Sequence, residues 1–306
     1  MHTPIPGAFP GRRPSPFLGS QAIRDGSLTE HRLRANYRAV FRNVYLAKDV
    51  PLTPLLRAQA AWLFAGPDAV LSGMSAAAVY GTKWLDIDAP AELVRADRHA
   101  PDGLRVHSYA LAAEHVRELD SMRVTTPART AFDLGRLLPS ETAIPILDAL
   151  MNKTGVAPDE VWSLVDASPG IRGIDRLRTS LGRADGGAES PLETQTRLRL
   201  SGVCVPGLET QIPLYDPWGL LSTRIAMGWR RFRVAVECDE ETDSPGYREW
   251  MHGHTAELES RGWVVMWVTA SMAFGRSDIA GRVREKLLMA HRQAASLRGG
   301  EDPYTA

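Results

Sequence analysis

Hydrophobic periodicity divides the chain into short elements of changing type. From Phe17 the apolar positions Ala22, Ile23, Leu28 and Leu33 predict two short helices separated at Gly26. Ser27-Leu28-Thr29-Glu30 offers an N-cap with an acid in the first turn, and the second helix runs Glu30–Asn36. Tyr37 to Leu46 alternates in part around the turn former Asn43 and predicts a β-hairpin. Thr53 to Leu85 reads as mostly helical, with Leu55, Leu56, Ala60, Leu63 and Phe64 on one face. The small-residue helix Ser72–Gly81 lets another element approach closely. Strands are expected at Ala91–Val94, Leu104–Tyr109 and Met122–Val124, and a helix at Thr126 with Pro127 in its first position.

Ser140 to Leu181 reads as two or three helices, broken at Ala167–Gly173. Asp185-Gly186-Gly187-Ala188 is the clearest hinge. After it come the helix Glu189–Leu200, with Ser190, Pro191 and Glu193 as a capping box, and a strand at Thr210–Tyr215. Two further strands, Thr223–Trp229 and Arg233–Cys238, are joined by a tight basic turn. An irregular segment Thr242–Tyr247, a helix Arg248–Arg261, a strand Trp263–Thr269 and a last helix Asp278–Ala294 complete an α/β/α layout.

The expected organisation is therefore a disordered Pro- and Gly-rich lead over 1–16, a winged-helix-like module over 17–50, an α+β region over 51–184 and an α/β domain over 185–306. A winged helix places its second helix in a major groove and its hairpin against the backbone. Arg32, Arg34, Arg38 and Arg42 are the expected nucleic-acid contacts; the bland alternative is a solvated basic face. Net charge does not decide between them, because Lys+Arg and Asp+Glu are 36 each. Distribution says more, with eight Arg/Lys against three Asp/Glu in residues 1–50.

Two cysteines, Cys204 and Cys238, form no metal-ligand pattern, and His99, His107 and His115 lack ligand spacing. Those histidines read as surface or structural. No apolar run approaches the ~18 residues of a membrane helix. The N-terminus lacks a signal-peptide core, so a cytoplasmic protein without a membrane partner is expected.

The strongest chemical signal is Glu237-Cys238-Asp239. Side chains two apart on a strand point the same way, so both carboxylates share a face. Metal-dependent nucleases build sites in this manner, with a further acid on the neighbouring strand, where this chain has Ala226.

From Phe17 onward the chain resembles an actinobacterial group that joins an AbiEi-like antitoxin half to a domain like the very-short-patch-repair endonucleases of the PD-(D/E)XK superfamily. The resemblance is carried by Gly19-Ser20 with Gly26–Thr29, Asn43-Val44-Tyr45, Leu71–Ala78 and Val124–Leu134. In the second half it is carried by Glu189–Thr194, Met227-Gly228-Trp229, Val234–Glu237, Asp239 and Gly262–Val265. It implies an α/β restriction-endonuclease-like C-terminal domain. Its catalytic acids would be Glu189 or Glu193, Glu237 and Asp239, with Glu237 and Asp239 holding Mg²⁺ if the site is active.

The chain departs from the pattern in four places. Ala226 replaces the strand Asp, Glu240 the Gly after the second acid, and Trp267 the Arg of the last strand; no His lies in Glu241–Ser244. Three readings stand at this point. One is a DNA-binding protein, antitoxin- or repressor-like, whose nuclease-like domain is inactive and needs no cofactor. Another is a Mg²⁺-dependent DNA endonuclease rescued by Glu240 or Glu241. The third is a protein–protein module, with a cognate toxin or other protein as partner, built on Trp218, Trp229, Trp250, Trp263 and Trp267. For Glu237 and Asp239 the structural alternative is an ion pair with Arg231, Arg233 or Arg248.

Overall fold

The computed structural model describes residues 15–240 and 244–299, without the side chains of residue 245 and residues 293–299. Most of the expected lead, Glu241 of the rescue reading, and residues 242 and 243 of the expected irregular segment lie outside the described residues. The chain forms two compact units, divided between Ala184 and Asp185. Both are mixed α and β.

Unit 1 opens with β1 (Phe17–Leu18), α1 (Gly19–Arg24), α2 (Glu30–Asn36), β2 (Tyr37–Phe41) and β3 (Val44–Ala47). The strands form an antiparallel sheet in the order β1-β3-β2. The cap of α2 is Thr29, whose hydroxyl accepts from the Arg32 N–H at 3.3 Å. Asn43 turns the hairpin at φ 65°, a conformation Asn tolerates better than most side chains. Its carbonyl and side chain also take the Gly19 and Ser20 N–H groups, satisfying the start of α1. Gly19 is needed for close approach, because a Cβ there would lie 2.5 Å from the Tyr45 ring. Ala22, Leu28, Leu33 and Tyr37 form the small core between these helices and strands.

The rest of unit 1 comprises α3 (Pro54–Ala65), β4 (Val70–Leu71), α4 (Gly73–Val79), β5 (Ala91–Val94), β6 (Leu104–His107), β7 (Val116–Leu119) and β8 (Met122–Thr125). Four helices follow: α5 (Pro127–Leu137), α6 (Ser140–Thr154), α7 (Pro158–Asp166) and α8 (Ile174–Leu181). The five strands run in the order β6-β5-β4-β8-β7. On α3 the fully buried residues are Ala58, Ala60 and Ala61, whereas Leu55, Leu56, Leu63 and Phe64 are only partly covered. Small residues let α3 pack tightly, so the large apolar side chains sit at the margins of the contact rather than at its centre. A second core joins α5, α6, α7 and α8 through Phe132, Leu147, Leu150, Val161 and Leu177.

Two buried carboxylates in unit 1 are fully engaged. Asp133 accepts from Arg129, Arg136 and the Tyr109 hydroxyl at 2.8–3.0 Å. Glu92 faces Arg105 at 3.3 Å and His107 at 3.0 Å. His107 is thus a structural partner of a buried acid.

Unit 2 comprises α9 (Pro191–Leu200), β9 (Glu209–Tyr215), β10 (Leu221–Trp229), β11 (Val234–Asp239), α10 (Pro245–Ser260), β12 (Val264–Thr269), α11 (Ala270–Phe274) and α12 (Ile279–Gly299). The sheet order is β12-β11-β10-β9, with β12 parallel to β11 and the other pairs antiparallel. Val234 and Val236 pack with Leu192 and Leu200 of α9 and Val283 and Leu287 of α12. Ala235, between them in sequence, packs on the opposite face with Leu258 of α10. The sheet is therefore covered on both faces. Helix α10 begins at Pro245, earlier than its apolar pattern suggested, because Pro fits the first turn, where no N–H bond is needed. Among the described residues no helix is long and apolar enough to cross a membrane.

Candidate functional site

The candidate site lies at the end of β11. The register Met227↔Val236 brings Ala226 beside Glu237, and the Ala226 N–H reaches Glu237 Oε1 at 3.3 Å. An acid at position 226 would stand next to the Glu237 carboxylate. Gly228 keeps the two strands close, since a Cβ there would lie 2.3 Å from the Val234 carbonyl.

Glu237 is 5% exposed. Among the described residues the side chain facing it is His254 on α10, with Nε2 3.3 Å from Glu237 Oε1 but without hydrogen-bond geometry, rather than any of Arg231, Arg233 or Arg248. Arg231 instead lies over the Phe232 ring, and Arg233 donates to the Arg261 carbonyl. His254 Nδ1 lies 3.3 Å from the Thr223 hydroxyl, and the ring stacks on Trp250 at 5.1 Å and 9°. Trp267, beside Glu237 in the parallel register, meets Trp250 edge-on and bonds Thr255 through its indole N–H at 2.9 Å.

Asp239 is half-buried, and the Tyr247 hydroxyl bonds to it. That hydroxyl also accepts the Glu240 N–H at 3.3 Å. Burial, then the neighbouring Asp239 and Glu240 charges, raise the Tyr247 pKa against the lowering effect of that N–H.

Glu193 approaches from α9. Ser190 caps this helix by accepting from the Glu193 N–H at 3.2 Å. The Glu193 carboxylate accepts from the Glu189 N–H at 2.8 Å, one residue before the cap, so the expected capping box is shifted. Burial pushes the Glu193 carboxyl up to about 7; the Glu189, Glu237 and Glu240 charges add to the rise, and the Glu189 N–H opposes it. The Cys238 thiol, bonded to Thr196 at 3.6 Å, is pushed up to about 12, chiefly by burial.

Glu193, Glu237 and Glu240 thus share one electrostatic neighbourhood, with Asp239 held at its edge through Tyr247. Glu237 Oε1 faces the Ala226 N–H and His254 Nε2, and Glu193 Oε2 accepts from its own helix start. Position 226 supplies a methyl group. Among the described residues no group of three or more His, Cys, Asp or Glu is arranged to hold a metal.

Two proteins of Mycobacterium tuberculosis strains, uncharacterized protein MT2308 and uncharacterized protein Rv2248, are each 31% identical to this chain over 230 residues. The match covers 74% of this chain and 83% of each relative. The chain belongs to their family. No family model and no solved structure matches it.

The residues expected to contact nucleic acid divide into two kinds. Arg32 on α2 and Arg42 at the hairpin turn are exposed. Arg34 is exposed but paired with Glu30 at 3.2 Å. Arg38 donates to the Lys48 and Val50 carbonyls at 3.2 and 2.6 Å, which ties β2 to the chain leaving β3. His254, Thr223 and Tyr247 carry no functional signal in the sequence, whereas Trp250 stands there only in the tryptophan surface. The i, i+4 spacing of Trp250 and His254 places both on one helix face.

Proposed function

We propose that this protein binds DNA through its N-terminal unit and carries a nuclease-like C-terminal unit that has lost catalysis. The two short helices and hairpin of residues 17–50 support a winged helix, with α2 as the groove-reading element. Exposed Arg32 and Arg42 suit phosphate contact there. Helix, three antiparallel strands, helix, parallel strand and helix in unit 2 support a restriction-endonuclease-like fold. By the resemblance, the protein represses its own promoter or pairs with a toxin.

The observation that carries the inactive reading is the Glu237 carboxylate. It sits between the Ala226 N–H and His254, where an active site would need it free for a metal beside a second strand acid.

One observation favours the second reading, a divalent-metal-dependent DNA endonuclease. Glu193 is close enough to Glu237 and Glu240 for their charges to raise its pKa, and three neighbouring acids are the raw material of such a site. Plasmid cleavage with Mg²⁺ and Mn²⁺ decides between them, on the wild type, Ala226→Asp and Glu237→Ala. The inactive reading expects an inert wild type that still shifts duplex DNA, with affinity falling steeply as salt rises. A wild type that cuts, and a Glu237→Ala variant that does not, would replace it with the enzyme.

A further inference from the structure

We propose that unit 2 associates with a second copy of this chain through the outer face of α12, the two helices packing antiparallel about a two-fold axis between Leu288 and Met289.

That face is left uncovered by the fold. Ile279, Val283, Leu287 and Ala290 turn inward from α12 and are buried in the core of unit 2. At 3.6 residues per turn the positions on the opposite side of the helix are Glu285, Leu288, Met289 and Arg292. All four are exposed. Leu288 and Met289 leave 58% and 60% of their surface in water, side by side. A helix buried along one stripe ordinarily carries polar residues on the far side, so two large apolar side chains there ask for a cover from outside the unit.

Charge selects the occupant. Glu285 stands three residues before Leu288 and Arg292 three after Met289, so the stripe reads the same in size and opposite in charge from either end. Two turns separate the acid from the base, about 10 Å along the axis, too far to pair within one helix. Among the described residues neither makes an ion pair. An antiparallel second copy brings Glu285 against the partner's Arg292 and Leu288 against the partner's Met289, and the two-fold axis repeats each contact. Parallel helices in register would instead set Glu285 against Glu285 and Arg292 against Arg292, which like-charge repulsion disfavours. Arg284 and Lys286 lie on the flanks of the helix, and Arg282 comes opposite position 295, an alanine in the sequence, so no like charges meet along the line of contact.

One helix pair covers less than the ~800 Å² per partner of a standard stable interface, so the dimer is weak and concentration-dependent. It is independent of what unit 1 binds and of the chemistry at Glu237.

Sedimentation equilibrium of the full chain tests this. The wild type should pass from monomer to dimer with a dissociation constant between about 1 μM and 1 mM. Glu285→Arg and Arg292→Glu each set two pairs of like charges across the axis and should weaken the dimer about ten-fold. Mixed in equal amounts, these two variants should dimerise with each other as tightly as the wild type does, because each offers the other the opposite charge at both positions. Leu288→Asp should abolish the dimer, and Trp218→Ala, at the most exposed large apolar residue elsewhere in unit 2, should leave it unchanged. The substituted α12 positions are exposed, so the fold survives the changes. A wild type that stays monomeric up to about 1 mM, a dimer undiminished by Leu288→Asp or lost in Trp218→Ala, or a mixture of the charge variants that fails to recover overturns the inference.

Discussion

His254 Nε2 lies 3.3 Å from Glu237 Oε1, and both side chains are buried between β11 and α10. Without the imidazole the carboxylate keeps, among the described residues, the Ala226 N–H as its close polar partner and stays out of water. Removing a polar group that faces a buried carboxylate leaves that carboxylate poorly compensated. His254→Ala is therefore expected to lower the unfolding free energy by about 2 kcal/mol. Glu237→Gln should cost less, because a neutral amide still accepts the N–H. Chemical denaturation of both variants checks the order, and a His254→Ala loss no larger than that of Glu237→Gln would refute it.

Glu193 makes the stability of unit 2 depend on pH. Its folded-state pKa is about 7, above the ordinary 4.5, so the folded protein holds this proton more tightly than the unfolded chain. The resulting stabilisation is complete below about 4.5 and is lost as pH rises through about 7. A glutamine keeps the acceptor for the Glu189 N–H and removes the charge. Glu193→Gln should stabilise the protein by about 1–3 kcal/mol at pH 8 and leave it unchanged near pH 4. Melting curves at the two pH values test this; equal effects at both would show that the charge is not the cause.

How much of this was legible in the chain follows from where each signal resides. Element types were readable because their signals are local. The Thr29, Thr126 and Ser190 hydroxyls cap helices where the sequence places a capping residue before a helical run. The two-residue β4 has too few positions to show alternation, and β7, Val116-Arg117-Glu118-Leu119, places two charged residues side by side and so does not alternate. In the site, Glu237 and Asp239 stood out because acids at a strand end are unusual. The His254 partnership did not, because it joins residues 17 positions apart across β11 and α10, and only tertiary packing sets that distance. Arg38 makes a related point. An arginine in a basic stretch looks the same in sequence whether it faces solvent or the Lys48 and Val50 carbonyls.

The Asp133 network predicts a second site of high sensitivity. Asp133 is 1% exposed and compensates two guanidiniums that are themselves almost covered. Both guanidiniums also lie over the Tyr109 ring. Asp133→Ala strands Arg129, Arg136 and the Tyr109 hydroxyl together, and should cost about 3–5 kcal/mol or prevent folding of unit 1. Tyr109→Phe removes only one bond to Asp133 and should cost about 1 kcal/mol. Denaturation of the two variants gives the comparison, and similar small losses would show that the network is solvated in solution.

The division among the basic residues of unit 1 separates binding from stability. Arg42 stands at the hairpin turn and Arg32 on the exposed face of α2, so changing either should leave the fold intact. Arg32→Ala and Arg42→Ala should each weaken duplex DNA binding and reduce the salt dependence by roughly one counterion. Arg38 behaves differently because its guanidinium spans two carbonyls of the segment after β3. Hydrogen bonds from a charged donor are worth more than neutral ones, so Arg38→Ala should cost about 1–3 kcal/mol of stability. Any loss of DNA affinity in that variant should follow its unfolding and disappear at lower temperature. Gel-shift titrations at two salt concentrations, run beside thermal melts, measure both quantities on the same samples. If Arg32→Ala and Arg42→Ala bind DNA as the wild type does, the groove-reading assignment of α2 and its hairpin is wrong. In that case the basic residues of this module form a solvated face.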